Sequence, residues 1–259
     1  MPRVVLTPAA LVEEERGRGP GRGRVMFVVD ILRATTTICS AIHHGAKAVV
    51  PVGSVADARR AAAARQGAVL AGERGADPIP GFDLGNSPGL MTPAAVGGRT
   101  VVLTTTNGTR ALMAAAEVGV GVGVGAAEVY ALAAVNFAVS VLRARAILGE
   151  GRGLTVLCAG HEGEVSREDC YTAGRLVAAL EGAVWEGKGR APDEPTRYCL
   201  DLAATTGDDW YQALMASRAG QALSAHGYAG DVREAATQDL HPVLPLLRDG
   251  HMTSSPTER

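Results

Sequence analysis

Two threonine runs, each placed directly after a run of β-branched and apolar residues, limit what this chain can fold into more than any other feature. The first reads VMFVVDILRATTT, from Val25 to Thr37, and the second TVVLTTTNGTR, from Thr100 to Arg110. Each reads as a buried strand that ends in a turn and feeds a helix. Strands with so little polar alternation need cover on both sides, as in a parallel sheet with helices on each face. Helix N-termini leave backbone N–H groups unpaired, so both turns are candidate anion sites, with hydroxyls as further donors. Asp30 and Arg33 stand at the first mouth, Asn107 and Arg110 at the second. Phosphate is the anion this pattern suggests first.

The rest of the chain repeats the alternation. After a short strand signal in RVVL (Arg3 to Leu6), strand patterns at 25–30, 48–52, 68–71, 100–103, 118–124 and 154–159 alternate with helical patterns at 35–44, 55–65, 109–117, 136–149 and 170–181. This predicts an α/β fold, a three-layer α/β/α sandwich with a mostly parallel sheet. The stretch 118–124 is rich in glycine and reads as a weak strand. RGRGPGRGR, Arg16 to Arg24, reads as a mobile loop. Beyond Gly182 the strand signals fade into a helical C-terminal extension. HPVLPLL, with its two prolines, reads as a last edge strand or an extended segment. Residues 1–250 are therefore expected to form a single domain, and the small polar residues 251–259 a disordered tail.

Composition narrows the partners. A chain of 259 residues with 47% hydrophobic but only 4% aromatic residues builds its core from Ala, Val and Leu. A net charge of −2 and a pI near 6.3 give no electrostatic reason to expect a nucleic acid. No apolar run is long enough to span a bilayer and no signal-peptide pattern opens the chain, so a cytoplasmic location is expected. Homo-oligomer formation stays open. Cys39, Cys158, Cys170 and Cys199 form no CxxC pair and have no histidine at zinc-finger spacing, which predicts reduced, buried thiols.

Four segments fall at the carboxyl ends of predicted strands, where open α/β sheets bind ligands. They are DILRATTT (Asp30 to Thr37), GERGADPIPGFDLGNSP (Gly72 to Pro88), TTTNGTR (Thr104 to Arg110) and CAGHEGEVSREDC (Cys158 to Cys170). Together they gather Asp30, Glu73, Asp83, Glu162, Glu164, Glu168 and Asp169 beside anion-binding turns. An excess of carboxylates there makes chemical sense around a divalent cation, magnesium, which in turn contacts substrate phosphate. Each residue has a plainer role open to it. Asp30 could cap a helix, the threonines could be ordinary first-turn residues, NSP a turn, and Glu168 and Asp169 favourable charges at a helix start. His161 could be a solvated loop residue. The argument rests on co-location.

The strings VVDILRATTTI, GER followed by GFDLGNSP, TTTNGTRAL and CAG…G…EDCYTAG, spread in this order from about residue 25 to 180, resemble the 2-phosphosulfolactate phosphatase family. The resemblance implies a cytoplasmic, magnesium-dependent phosphatase of coenzyme M biosynthesis that converts 2-phosphosulfolactate to 3-sulfolactate and phosphate. One departure stands out: where an Asn is expected after the strand near Gly123, the chain reads GAAEVYAL.

On this basis Asp30, Arg33 and Glu168 are the expected catalytic residues. Asp30, Glu73, Asp83 and Asp169 are the expected metal ligands. Thr35, Thr36, Arg74, Asn86, Ser87, Thr105, Thr106, Asn107, Gly108 and Arg110 are expected to bind a small anionic phosphorylated substrate. Among these, Arg33, Arg74 or Arg110 would grip the sulfonate or carboxylate, because a planar guanidinium suits oxyanions. Direct attack by a carboxylate and activation of water both remain open. An aspartyl-phosphate enzyme of the haloacid dehalogenase type would need a second Asp two residues after Asp30, and Leu32 stands there. A non-catalytic sensor of an anionic metabolite is disfavoured, because the unneutralised carboxylates would repel the ligand.

Overall fold

The computed structural model describes residues 2–16, 25–119, 128–184 and 191–255. In chain order its elements are β1 (Arg3–Val5), α1 (Pro8–Glu15), β2 (Val25–Val29), α2 (Ala34–His43), β3 (Ala48–Pro51), α3 (Val55–Ala63), β4 (Val69–Arg74), β5 (Asp77–Pro78), α4 (Pro93–Val96), β6 (Thr100–Thr104), α5 (Gly108–Gly119), β7 (Glu128–Leu132), α6 (Phe137–Gly149), β8 (Leu154–Cys158), α7 (Arg167–Val184), α8 (Glu194–Thr206), α9 (Trp210–Met215), α10 (Arg218–Ala225), α11 (Ala229–Ala235), β9 (Pro245–Arg248) and β10 (His251–Ser254). Among the described residues no helix is long and apolar enough to cross a membrane.

The uniform apolarity of β2 follows from its place in the sheet. Val25, Phe27 and Val29 point into a core shared with α6, α7, α8 and α9, while Met26 and Val28 point into a second core under α1, α2 and α5. With both faces covered, no position along the strand is left for a polar residue. Phe27 is fully buried and stacks on Tyr130 with ring centroids 5.0 Å apart. Truncating such a side chain to Ala costs about 3–5 kcal/mol. The outer layer formed by α7 and α8 relies on Gly174, where a Cβ would overlap the Cys199 carbonyl. All four cysteines are free and buried.

The ten strands lie in the order β1-β8-β2-β7-β9-β10-β3-β6-β4-β5. β1, β8, β2 and β7 form one parallel group, and β3, β6 and β4 another. Between them sits the hairpin β9–β10, antiparallel to β7 on one side and to β3 on the other. The two parallel groups therefore run in opposite senses. α5 leaves β6 in one group and packs on β2 and β7 in the other, and sheet twist accumulates across the strands between them.

This hairpin corrects two expectations. HPVLPLL does not end the sheet as an edge: its Pro245–Arg248 is an interior strand. Nor is the segment from residue 251 uniformly disordered, because His251–Ser254 pairs with Arg248–Pro245 and Met252 lies fully buried opposite Val49. The turn is Asp249–Gly250, with φ of 49° and 75°. Asp-Gly with positive φ at both positions is the two-residue turn whose twist matches paired strands. Residues 256–259 lie outside the described residues.

The expected strand at 118–124 is also displaced. Val118 and Gly119 close α5, residues 120–124 lie outside the described residues, and the observed strand is Glu128–Leu132. With the strand at Glu128–Leu132, the turn that follows it carries an Asn. Asn136 follows β7, fully buried, accepting from the Ala133 amide at 2.9 Å and donating to the carbonyls of Ala131 and Val243 at 3.0 Å. Most of the loop expected at Arg16 to Arg24 lies outside the described residues.

Candidate active site

Loops from the carboxyl ends of β2, β4, β6 and β8 close around a cavity of about 350 Å³, and α10 completes it. Both parallel groups contribute despite their opposite senses. Asp30, Arg33, Glu73, Asn86, Thr106 and Asn107 line the cavity, together with His161 and Glu162.

Asp30 is the chemical centre of this cavity. It follows the last residue of β2, and its Oδ1 accepts the Ala34 amide at 3.3 Å, at the N-terminus of α2. On its other side lies the N-terminus of α5. A Cβ on Gly108 would stand 2.5 Å from both the Asp30 Oδ2 and the Ala34 Cβ, so only glycine lets the two helix starts meet at this carboxylate. Burial pushes the Asp30 carboxyl up to about 7, against the hydrogen bond from Ala34, and the nearby Glu73 and Glu168 push the same way. Among the described residues no Lys or Arg forms an ion pair with Asp30, Glu73 or Glu168.

Glu73 is held by its neighbours. Its Oε1 accepts the Thr106 amide at 2.7 Å, and its Oε2 accepts the Thr106 hydroxyl at 3.2 Å and the Ala76 amide at 3.1 Å. That fastens the β4 turn to the β6 turn. Asn107 Oδ1 accepts the Glu162 amide at 3.0 Å and so joins the β6 and β8 turns. An N–H donor can be met only by the amide oxygen, which leaves Nδ2 as a donor toward the cavity. Asp169 is buried and bridges behind the site, Oδ1 accepting from the Ile31 amide at 3.1 Å and Oδ2 from the Gly160 amide at 3.2 Å. Burial raises its carboxyl, as do Asp30 and Glu168. Glu168 is buried beside both and does not line the cavity.

Several expected site residues are used otherwise. The hydroxyls of Thr35 and Thr36, fully buried, donate to the carbonyls of Asp30 and Ile31 at 2.9 and 2.8 Å. They fix the turn and do not face a ligand. Thr105 Oγ1 accepts the Thr109 amide at 3.1 Å, capping α5. Ser87 donates to Asp231 at 2.7 Å. Asp83 is exposed, outside the cavity, and accepts the Leu70 amide at 2.8 Å, so it is not grouped with the other carboxylates.

The arginines divide in the same way. Arg33 reaches the cavity, but its Nη1 donates to Asp231 at 2.7 Å and to Ser87 at 3.3 Å, and its Nη2 to the Ala76 carbonyl at 2.9 Å. Tyr228 lies under its guanidinium at 4.5 Å. Arg74 is turned away, donating to the Glu73 carbonyl and to Thr104. Arg110 is exposed and does not line the cavity. Sequence reasoning missed the whole contribution of α10, where Arg218 and His226 face the cavity. A signal existed: Arg218, Ala222 and His226 recur at four-residue spacing, which places them on one helix face.

The donor chemistry fits magnesium. Asp30 and Glu73 present hard oxygens to one cavity, in a cluster whose like charges repel and carry no built-in cation. Among the described residues no three His, Cys, Asp or Glu side chains are grouped to cage a metal. Magnesium commonly shares one or two carboxylates with water and substrate phosphate instead of occupying an all-protein cage.

The model of the family described as 2-phosphosulpholactate phosphatase matches residues 11–250. A relative from Thermus thermophilus named probable 2-phosphosulfolactate phosphatase is 37% identical over 86% of this chain and 88% of its own length. Relatives of the same name from Deinococcus radiodurans and Caldanaerobacter subterraneus are 35% and 34% identical, over 87% and 89% of this chain and 88% and 90% of theirs.

Proposed function

The chain belongs to the 2-phosphosulfolactate phosphatase family, and from that premise we propose that it hydrolyses 2-phosphosulfolactate to 3-sulfolactate and phosphate, with magnesium as cofactor. The observation that carries this reading is Asp30, buried in the cavity between two helix N-termini. A carboxylate placed there can take a proton from a neighbouring water. Asp30 takes a proton from the attacking water as its oxygen bonds to phosphorus. The ester P–O bond breaks, and the leaving 2-oxygen gains a proton, for which His161 is the candidate donor.

The Ala34 and Thr109 amides are taken up by Asp30 and Thr105, so α2 and α5 act on the charge that builds on the phosphoryl oxygens through their dipoles, and Nδ2 of Asn107 adds a neutral donor. Glu73 and Asp169 hold the turns that place these groups. Asp30 and Glu73 would hold magnesium, which when bound neutralises phosphoryl charge.

The reading is tested by phosphate release from 2-phosphosulfolactate, phosphoglycolate, sugar phosphates and nucleotides. The small phosphorylated acids should have the highest kcat/KM. A clear preference for sugar phosphates would overturn the substrate assignment.

A further inference from the structure

We infer that Arg218, on α10, is the residue that reads the acid group carried beside the phosphate, making this helix the specificity wall of the cavity. The inference rests on the phosphatase reading above and goes beyond it by assigning the cation that selects the substrate.

Elimination carries the first half of the argument. A substrate with phosphate and one or two further acid groups needs a positive partner away from the phosphate, since the cavity's own ionisable groups include Asp30, Glu73 and Glu162. Arg33 cannot supply it, because Asp231, Ser87 and the Ala76 carbonyl already occupy its guanidinium, which is 3% exposed. Arg74 and Arg110 do not line the cavity. Arg218 does, it is exposed, and among the described residues it has no ion pair or hydrogen bond.

Placement carries the second half. An exposed arginine on a loose helix would signify little, but α10 is anchored at this end. Ser217, fully buried, accepts the Gly220 amide at 3.0 Å and donates to the Leu214 carbonyl at 2.7 Å. Leu223 is buried in the main core. The backbone that carries Arg218 is thus fixed before a ligand arrives, which is what a selective site requires.

Beside it, Ala219, Ala222 and Leu32 line the cavity without offering hydrogen bonds, and the Nδ1 of His226 is engaged with the Ala222 carbonyl at 2.7 Å, so a charged substrate tail has Arg218 as its strong partner. Asn86 offers an acceptor, which suits water or a hydroxyl and not the acid group itself. It is buried, it lines the cavity, and its Oδ1 has no hydrogen-bond partner. The ligand class is a small phosphorylated hydroxy acid bearing a sulfonate or carboxylate.

Glycerol 2-phosphate is the informative comparator, since it keeps the three-carbon skeleton and the central phosphate, with hydroxymethyl in place of the carboxylate and hydroxyl in place of the sulfonate. For Arg218→Gln, kcat/KM on 2-phosphosulfolactate should fall by at least about thirtyfold, mainly through KM, while glycerol 2-phosphate changes by less than about twofold. Arg218→Lys should fall between Gln and wild type, since it keeps the charge without the fork. An equal fall on both substrates, or none on either, overturns the inference.

Calorimetric binding of 3-sulfolactate to wild type and Arg218→Gln separates this from failure of the phosphatase reading. Arg218-dependent binding without turnover would leave the subsite standing and remove the reaction. Binding indifferent to Arg218 would remove the subsite whatever the wild type hydrolyses.

Discussion

Adjacent strands β2 and β7 pair from Val25 opposite Glu128 to Val29 opposite Leu132, and a partly or fully buried carboxylate stands at each end of that ladder. Glu128 begins β7, and Asp30 follows the last residue of β2. Along the strands they are separated by roughly 17 Å. Their surroundings are opposite in kind. Glu128 accepts hydrogen bonds from Tyr130 at 2.6 Å and from Arg143 and Arg152 at 2.8 Å each. Burial alone would raise its carboxyl, but these three donors outweigh it and hold the group at about 2. Asp30 has backbone donors and like-charged neighbours, and it stays near 7. The difference teaches what distinguishes a carboxylate that holds the fold from one that does chemistry. The first carries its cations within the chain; the second leaves their place to cofactor and substrate.

Chelation should break this comparison most strongly. Removal of magnesium should cut phosphate release to below about a hundredth, added magnesium should restore it, and calcium should restore less, because its longer bonds suit an octahedral site poorly. The Glu128 network should not respond, so the thermal transition should move little. Undiminished turnover after exhaustive chelation would remove the cation from the account.

Glu128→Gln should sharpen the comparison from the other end. It removes one of the two carboxylates that Arg143 and Arg152 share, Glu150 remaining, at a cost of about 1–2 kcal/mol for a partly exposed network, seen as a lower Tm with kcat/KM almost unchanged. A variant with lost turnover and intact stability would contradict the division of roles. The acid side of the stability curve supplies a further check. A carboxyl with its folded pKa depressed from 4.5 to about 2 stabilises fully above 4.5 and loses that contribution as pH falls toward 2. The stability gap between wild type and Glu128→Gln should therefore close over that window, and a gap that stays constant would show that the charge is not its source.

The smallest effect is expected at Asp83. Since it only accepts an amide from Leu70 at the surface, Asp83→Ala should cost about 0.5–1 kcal/mol and leave magnesium dependence as in wild type. A weakened response to magnesium would return Asp83 to the site.

The sequence carried the fold wherever residue type alone dictated burial. β2 and β6 have no polar interior position and β8 has only Thr155, so each observed strand keeps to its pattern within one residue. Asp30, Glu73 and Asn107 were legible because they sit at strand ends, where topology delivers side chains to a common edge. Thr35, Thr36 and Thr105 were not, because residue type does not say whether a hydroxyl turns to a ligand or to the backbone of its own turn. Asp83 failed for the same reason. The alternating glycines near residue 120 mimic a strand period, while EVYAL, the observed strand, follows them. The C-terminal hairpin was announced by Asp249–Gly250 between PLLR and HMTS, a turn signal masked by the polar composition around it. Arg218 lies in no motif, and only the packing of α10 brings it to the cavity.

The most direct measurement is the rate of phosphate release from 2-phosphosulfolactate by Asp30→Asn, run beside Glu128→Gln and wild type at saturating magnesium. Asn keeps the size and the acceptor for the Ala34 amide but cannot take a proton. The account predicts a loss in kcat of at least about a hundredfold with the fold retained, against near-normal turnover in Glu128→Gln. Near-normal turnover in Asp30→Asn would contradict it and reduce Asp30 to a cap on α2.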